Sequence, residues 1–386
     1  MSVLSESRVR IGVVGARGVV GRELLRLLEQ AGVPAERIAC FARDPQPGDV
    51  VVLGPRSLPL AALSDADWQA LDLVFFAAPS EVASRWAPRA VEAGALVVDA
   101  SSAFRKDERV PLVVPEVNGA ELASRPSLVA SPNCATSLLT VALEPLRRAF
   151  GLERVVVSTY QAVSGAGLEG MRALERDARQ LLGLPLVSEE VVGEAAERPG
   201  SSFSTEGGAG TVFPEPCAFN VFPHEADEDP RTGHSGEEQK IIDEARRLWG
   251  LPHLAVLPTC VRVPVLRAHC LAVTVTCERS ASRDEVLERL RGAPGLDLFP
   301  SGGERGHPTA LKAARRNAVL VGRVRAFPDS GERAARTFSL WIAGDQLRKG
   351  AAWNALQLGE ALVSKSQDLR PSDRPASRSY RPLAAS

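Results

Sequence analysis

A lone cysteine, Cys134, stands in Ser131-Pro-Asn-Cys-Ala-Thr136, between turn-forming residues and an apolar run. Pro132 and Asn133 break the segment before it. From Thr136 onward, Leu138, Leu139, Val141, Ala142, Leu143 and Leu146 have the spacing of a buried helix face. The cysteine is thus expected at a helix N-terminus, where unpaired N–H groups and the helix dipole favour the thiolate, its nucleophilic form. The alternative is a small buried hydrophobe, as most free cysteines are. Arg262 and His269 also stand in apolar company. An arginine inside a β-branched run asks for an anionic partner, because unpaired burial is expensive; the histidine reads equally as a satisfied structural residue. Glu237 and Lys240 lie one helical turn apart, the usual spacing of a solvated charge pair.

The elements that must position these residues begin with Arg8 to Val14, a short β-branched run. It leads into Gly15-Ala-Arg-Gly-Val-Val-Gly21 and then a helix with Leu24, Leu25, Leu27 and Leu28 on one side. Gly15, Gly18 and Gly21 form a variant of the dinucleotide fingerprint, in which small residues admit a pyrophosphate to a helix N-terminus; a merely structural tight turn is the other reading. A second strand is expected over Arg37 to Arg43. Arg43 suits the 2′-phosphate of NADP, whereas Asp44 suits the free ribose of NAD. Leu71 to Pro79 and Ala95 to Ser102 are apolar and of strand length, separated by a helical stretch over Glu81 to Ala93. That is the pattern of a parallel sheet covered on both faces. Arg105, just past a strand end, is a candidate oxyanion or phosphate contact, or a surface arginine.

Beyond Cys134, strands are expected over 154–161, 255–266, 269–278, 318–326 and 336–343, with helices over 168–182, 282–290 and 349–362 and one opening at Glu237. The fold class is α/β: an N-terminal Rossmann-type dinucleotide-binding domain (1–133, completed by a helix at about 346–364) and a second α+β domain (134–345) with a mixed sheet. Residues 183–236 are rich in Gly, Pro, Ser and Glu and read as long loops; 365–386 read as a disordered tail.

The chain has 386 residues, 45% hydrophobic and 24% charged, and a formal net charge of −1, which argues against a nucleic-acid partner. No apolar run is long enough to span a bilayer and the N-terminal residues lack an apolar signal region, so a cytoplasmic location is expected. Six cysteines without a C-x-x-C pair and five histidines without ligand spacing give no expectation of a metal.

Four segments together are more specific than any glycine loop: Ser131-Pro-Asn-Cys-Ala-Thr136, Tyr160-Gln-Ala-Val-Ser-Gly-Ala-Gly167, Arg262-Val-Pro-Val-Leu-Arg-Ala-His269 and Lys349-Gly-Ala-Ala-Trp-Asn354. With Val110-Pro-Leu-Val-Val-Pro-Glu-Val-Asn118, they resemble the bacterial aspartate-semialdehyde dehydrogenase family over about residues 9 to 362. The resemblance implies NADPH-dependent reduction of L-aspartyl 4-phosphate through a cysteine thioester, with phosphate as co-product. It matches Cys134 to the nucleophile, Gln161 to a substrate-positioning residue and His269 to the general acid/base. Arg262 matches the grip on the substrate α-carboxylate and Glu237 the partner of its ammonium. Arg105, Lys240 and Asn133 match phosphate contacts. Arg17, Gly18, Val19, Val20, Arg43, Ser164, Gly165 and Gln346 match cofactor contacts. A homodimer or homotetramer is implied as well. The segment Phe41-Ala-Arg-Asp-Pro-Gln-Pro-Gly48 lacks the serines that flank the arginine in many NADP-specific relatives, so NAD stays open. The alternatives are an N-acetyl-glutamyl-phosphate reductase and a catalytically idle nucleotide-binding relative.

Overall fold

The computed structural model describes residues 2–182, 212–299, 306–328 and 333–367. Most of the loop-rich stretch expected over 183–236, and the terminal segment from 368, lie outside the described residues. In chain order the first part contains α1 (Val3–Glu6), β1 (Ile11–Val14), α2 (Val19–Gln30), β2 (Ile38–Ala42), β3 (Val50–Leu53), β4 (Arg56–Ala62), β5 (Leu73–Phe76), α3 (Ser80–Glu92), β6 (Leu96–Asp99), α4 (Pro115–Asn118) and β7 (Leu128–Ala130). Its sheet has the order β3-β4-β2-β1-β5-β6-β7, and only the β3–β4 pairing is antiparallel. β1 and β5 are wholly buried, as a parallel strand covered on both faces must be. The chain runs outward in opposite directions on the two sides of β1, so a ligand crevice opens at the carboxyl ends of β1 and β5. The β3–β4 hairpin was not anticipated from the sequence.

The second part contains α5 (Cys134–Phe150), β8 (Arg154–Gln161), α6 (Gly167–Leu182), β9 (Phe222–Pro223), α7 (Gly236–Trp249), β10 (Ala255–Arg262), β11 (His269–Ala281), α8 (Arg283–Leu290), β12 (Leu296–Leu298), α9 (Ala310–Ala313), β13 (Val319–Phe327), β14 (Ala335–Gly344) and α10 (Trp353–Gln367). The sheet is mixed, in the order β12-β13-β14-β11-β8-β10-β9. β8 and β10 are parallel, with Arg262 opposite Gln161 at their carboxyl ends; β11 is antiparallel to β8 and begins at that same end with His269. Strand direction alone therefore brings Gln161, Arg262 and His269 to one edge.

The largest apolar cluster runs from the first sheet through α5 and α7 into the second sheet, so α5 is shared core and its first residue sits at the seam. A second cluster packs α2 and α10 on the opposite face of the first sheet. On the second sheet, Val156, Tyr160 and Leu257 point away from the helices and are exposed.

A single helix from Lys349 was expected; instead Arg348–Ala352 form a π-helical turn before α10. The detour brings Gly350 against the start of α5, where an added Cβ would lie 2.7 Å from Cys134 Cβ. Lys349 is fully buried there, donating to Gln357 Oε1 at 2.8 Å, to Asn354 Oδ1 at 3.0 Å and to the Glu116 carboxylate. Asn354 in turn donates to Ser131 Oγ at 2.9 Å and holds the segment that leads to Cys134.

Replacing Lys349 by Met leaves Glu116 as a nearly buried carboxylate without its cation. The expected loss is about 3–5 kcal/mol in urea denaturation; a midpoint equal to the wild type would show that the pair does not hold this seam.

Candidate active site

Cys134 is the first residue of α5, and Asn133 caps the helix: its Oδ1 accepts from Ala135 N–H at 2.9 Å and Thr136 N–H at 3.3 Å. Sγ lies 3.5 Å from His269 Nε2. The ring of His269 is fully buried, and its Nδ1 accepts the Ala162 N–H at 3.0 Å. A neutral imidazole that accepts at Nδ1 carries its proton on Nε2, here the nitrogen that faces sulfur. Burial, then the nearby Arg262 charge, pulls His269 down to about 3, so it is neutral at physiological pH.

Glu237 organises the other side. Its Oε1 accepts from Asn133 Nδ2 at 2.8 Å and Gln161 Nε2 at 3.3 Å, and its Oε2 lies 3.2 Å from Lys240 Nζ. Burial opposes its charged form, but Lys240, His224 and the two amides outweigh that and hold the carboxyl at about 2. The expectation of a solvated Glu237–Lys240 pair is therefore corrected: the carboxylate is buried and only the lysine reaches solvent.

The expectation of a thiolate favoured by the helix N-terminus is also corrected. Burial first, and then the Glu237 charge, push the Cys134 thiol up to about 12 against the opposing influence of Arg105, the Ala135 N–H and Arg262. Asn133 Oδ1 already shares two of the first-turn N–H groups, those of Ala135 and Thr136.

Arg105 donates to Ser131 O at 2.9 Å and Ala100 O at 3.2 Å, and meets Glu244 Oε1 at 3.2 Å. Glu244 also accepts the Asn133 N–H. Arg262, buried as expected, has its anionic partner in Glu225, at 3.1 Å from Nε and 2.5 Å from the second guanidinium nitrogen. Sequence reasoning asked for that partner without naming it. Glu225 lies 37 positions upstream, and its only signal is the acidic run that it opens with Asp227, Glu228 and Asp229. Glu244 carried no signal beyond its place on a helix.

The glycine loop fits a diphosphate. Gly15 has φ +84°, and a Cβ on it would lie 2.2 Å from Ala77 O; one on Gly21 would lie 2.2 Å from Gly15 O. α2 begins at Gly18 without a side-chain cap, which leaves first-turn N–H groups for an anion. Arg17 pairs with Asp49 at the rim, Val19 and Val20 are half-buried, and Arg43 is exposed beyond β2. Ser164, Gly165 and Gln346 gather instead around the histidine. Gln346 accepts the Ala268 N–H at 2.8 Å and donates to Ser164 Oγ, and a Cβ on Gly165 would lie 3.6 Å from His269 Nε2. Among the described residues no three His, Cys, Asp or Glu side chains group as metal ligands, and no helix is long and apolar enough to cross a membrane.

Residues 10–125 match the family model described as semialdehyde dehydrogenase, NAD binding domain, and residues 143–349 the model described as semialdehyde dehydrogenase, dimerisation domain. The chain is 34% identical to the aspartate-semialdehyde dehydrogenase of Bacillus subtilis, over 92% of this chain and 97% of that protein. It is 38% identical to that of Mycolicibacterium smegmatis, over 92% and 99%. A crystal structure of aspartate semialdehyde dehydrogenase II from Vibrio cholerae, complexed with ASA, is 33% identical, with a TM-score of 0.79 over 93% of this chain and 99% of that one.

The burial and charge around Cys134 give a pH prediction. With the thiol at about 12, alkylation of Cys134 by iodoacetamide should rise tenfold per pH unit from pH 7 to 10 without a plateau. Glu237→Gln removes a charge that raises the thiol, so it should speed alkylation several-fold at fixed pH. A plateau below pH 9, or slower alkylation in the variant, would contradict this charge balance.

Proposed function

The chain belongs to the aspartate-semialdehyde dehydrogenase family, and we propose that it reduces L-aspartyl 4-phosphate with NADPH to L-aspartate 4-semialdehyde, releasing phosphate, on the route to lysine, threonine and methionine. It is an oxidoreductase with a nicotinamide dinucleotide cofactor. One observation carries the reading: a cysteine and a histidine 3.5 Å apart, ringed by Gln161, Glu237, Lys240, Arg105 and Arg262. A substrate that bears phosphate, ammonium and carboxylate around one reactive carbonyl needs several cations and one anion around one thiol.

The cofactor, when bound, supplies the hydride; the remaining tasks fall to the chain. Gly15, Arg17, Gly18, Val19, Val20 and Gly21 would hold it at the α2 N-terminus, and Ser164, Gly165 and Gln346 beside His269. Arg43 favours NADP. Cys134 Sγ attacks the acyl carbon and the C–O bond to phosphate breaks; the thiol proton passes to the departing phosphate, which leaves toward Arg105, Asn133 and Lys240, and the acyl group rests as a thioester, with Gln161 positioning it. As Lys240 turns to phosphate, Glu237 receives the substrate ammonium. His269 Nε2–H donates to sulfur and to the oxygen of the tetrahedral intermediates. Service as a base at Nε2 needs the other tautomer, which would set Nδ1–H against the Ala162 N–H.

We assign residues 1–133 and about 346–364 to the cofactor-binding part and 134–345 to the catalytic part. The exposed Val156, Tyr160 and Leu257 on the open face of the second sheet suit a second copy of the chain and hence a homodimer.

The decisive assay is phosphate-dependent reduction of NADP and of NAD, with aspartate semialdehyde and with N-acetylglutamate semialdehyde in parallel. Aspartate semialdehyde with NADP should give the highest kcat/KM, and preference for the acetylated substrate would overturn the assignment. Cys134→Ala should abolish turnover while NADP still binds; retained turnover would remove the nucleophile. On the open face, Leu257→Glu should halve the mass seen in sedimentation equilibrium, and an unchanged mass would place the contact elsewhere.

A further inference from the structure

Arg262 is assigned above to the substrate α-carboxylate, yet most of its donors are already committed. A guanidinium has five N–H donors. Nε and one donor of NH2 go to the two oxygens of Glu225, and NH1 donates to Ala162 O at 2.9 Å. NH2 also lies 2.9 Å from His224 Nε2, but His224 Nδ1 accepts the Ala226 N–H at 3.2 Å, which puts the ring proton on Nε2 and makes it no acceptor. Three of the five donors are thus spent within the chain. A bidentate grip on a carboxylate needs two parallel donors. The edge that offers them, Nε with NH2, holds the Glu225 carboxylate. NH1 lies against Gly165, whose added Cβ would be 3.2 Å from it.

We propose that Glu225 occupies the seat of the substrate α-carboxylate on Arg262 in the empty enzyme, and that binding exchanges one carboxylate for the other. This rests on the reading of Arg262 as the carboxylate grip. The two partners differ in freedom. Arg262 is fixed by the Ala162 carbonyl, lies under the Phe213 ring at 5.4 Å from its centroid, and is 1% exposed; the Glu225 side chain is 18% exposed, on the segment after β9. Glu225 is therefore the partner that leaves. The exchange keeps Arg262 neutralised at every stage, which avoids an unpaired buried cation. It also sets specificity: a ligand displaces Glu225 only with an anion shaped to take both donors, so neutral analogues gain nothing from Arg262.

The test is Glu225→Gln, which keeps the shape and removes the charge. Its KM for aspartate semialdehyde should fall about three- to tenfold, as a charge-assisted competitor becomes a neutral one, with the effect on KM rather than kcat. 3-Aminopropanal, the same molecule without its carboxylate, should show no such gain. Glu225→Asp, too short to span both donors, should also lower KM for aspartate semialdehyde, and serves if the glutamine variant does not fold. A KM that is unchanged or raised in the folded variant, or an equal gain with 3-aminopropanal, overturns the exchange. Arg262→Lys separates this from the reading beneath it. A large rise in KM confirms the grip whatever Glu225 does, and an unchanged KM removes the grip and the exchange together.

Discussion

A carboxylate withdrawn from water has to be compensated where it stands, and the burial of Glu237 imposes that condition on the whole site. Its two oxygens take Asn133, Gln161 and Lys240. Asn133 cannot move without uncapping α5, because its Oδ1 holds the N–H groups of Ala135 and Thr136, the second and third of that helix. Gln161 ends β8, and Glu237 itself stands in the first turn of α7. One buried charge thus ties together the helix that begins at Cys134, the strand that ends at Gln161 and a second helix. The cost of stranding it keeps the three in register.

The same logic recurs at the junction between the two sheets, where ion pairs stand at positions that apolar residues would fill with less desolvation. Glu23, on the helix that follows the glycine loop, meets Arg348 Nε at 2.7 Å and Arg267 at 3.1 Å, and Arg267 continues to Asp345 at 2.7 Å. Arg267 lies two residues before His269. Buried pairs of this kind add little net stability over apolar packing, but they accept few geometries. Their effect here is to hold the helix after the glycine loop against the strand that carries the histidine, at the precision that positioned chemistry needs.

Much of this was legible in the sequence because it rests on local periodicity. The strand–glycine–helix unit, the start of α5 at Cys134 and the strand ending at Gln161 all follow from patterns within a dozen residues, whereas the strand expected over 255–266 ends at Arg262, four residues short. The β3–β4 hairpin was not legible, because Val50 and Val52 are exposed while Val51 and Leu53 are buried: four apolar residues in a row hide the alternation of an edge strand. The π-turn at Arg348–Ala352 escaped for another reason. Its cause is the approach of Gly350 to Cys134, a contact across more than two hundred residues that no window contains. The ionisation of Cys134 was misjudged on the same ground. The helix dipole is local, whereas burial and Glu237 arrive with the tertiary structure and outweigh it. The resemblance to a family supplied roles for Gln161, His269 and Glu237 that their neighbours alone did not.

Ala162 shows how closely the site is coupled. Its N–H fixes the tautomer of His269, while its carbonyl accepts from Arg262 NH1. One residue of backbone therefore stands between the arginine that Glu225 neutralises and the imidazole that faces the thiol. Arg262 also lowers the affinity of His269 for a proton, second only to burial. When Arg262 is paired with a carboxylate, whether that of Glu225 or that of a ligand, part of its field is cancelled at the ring. A bare arginine between the two partners would be an unpaired buried cation, although the histidine is neutral in either case. A seat that is never empty keeps Arg262 paired while it stays bonded to the carbonyl of Ala162, the residue whose N–H orients the ring. That is a reason for the chain to carry its own carboxylate there rather than leave the position open to water.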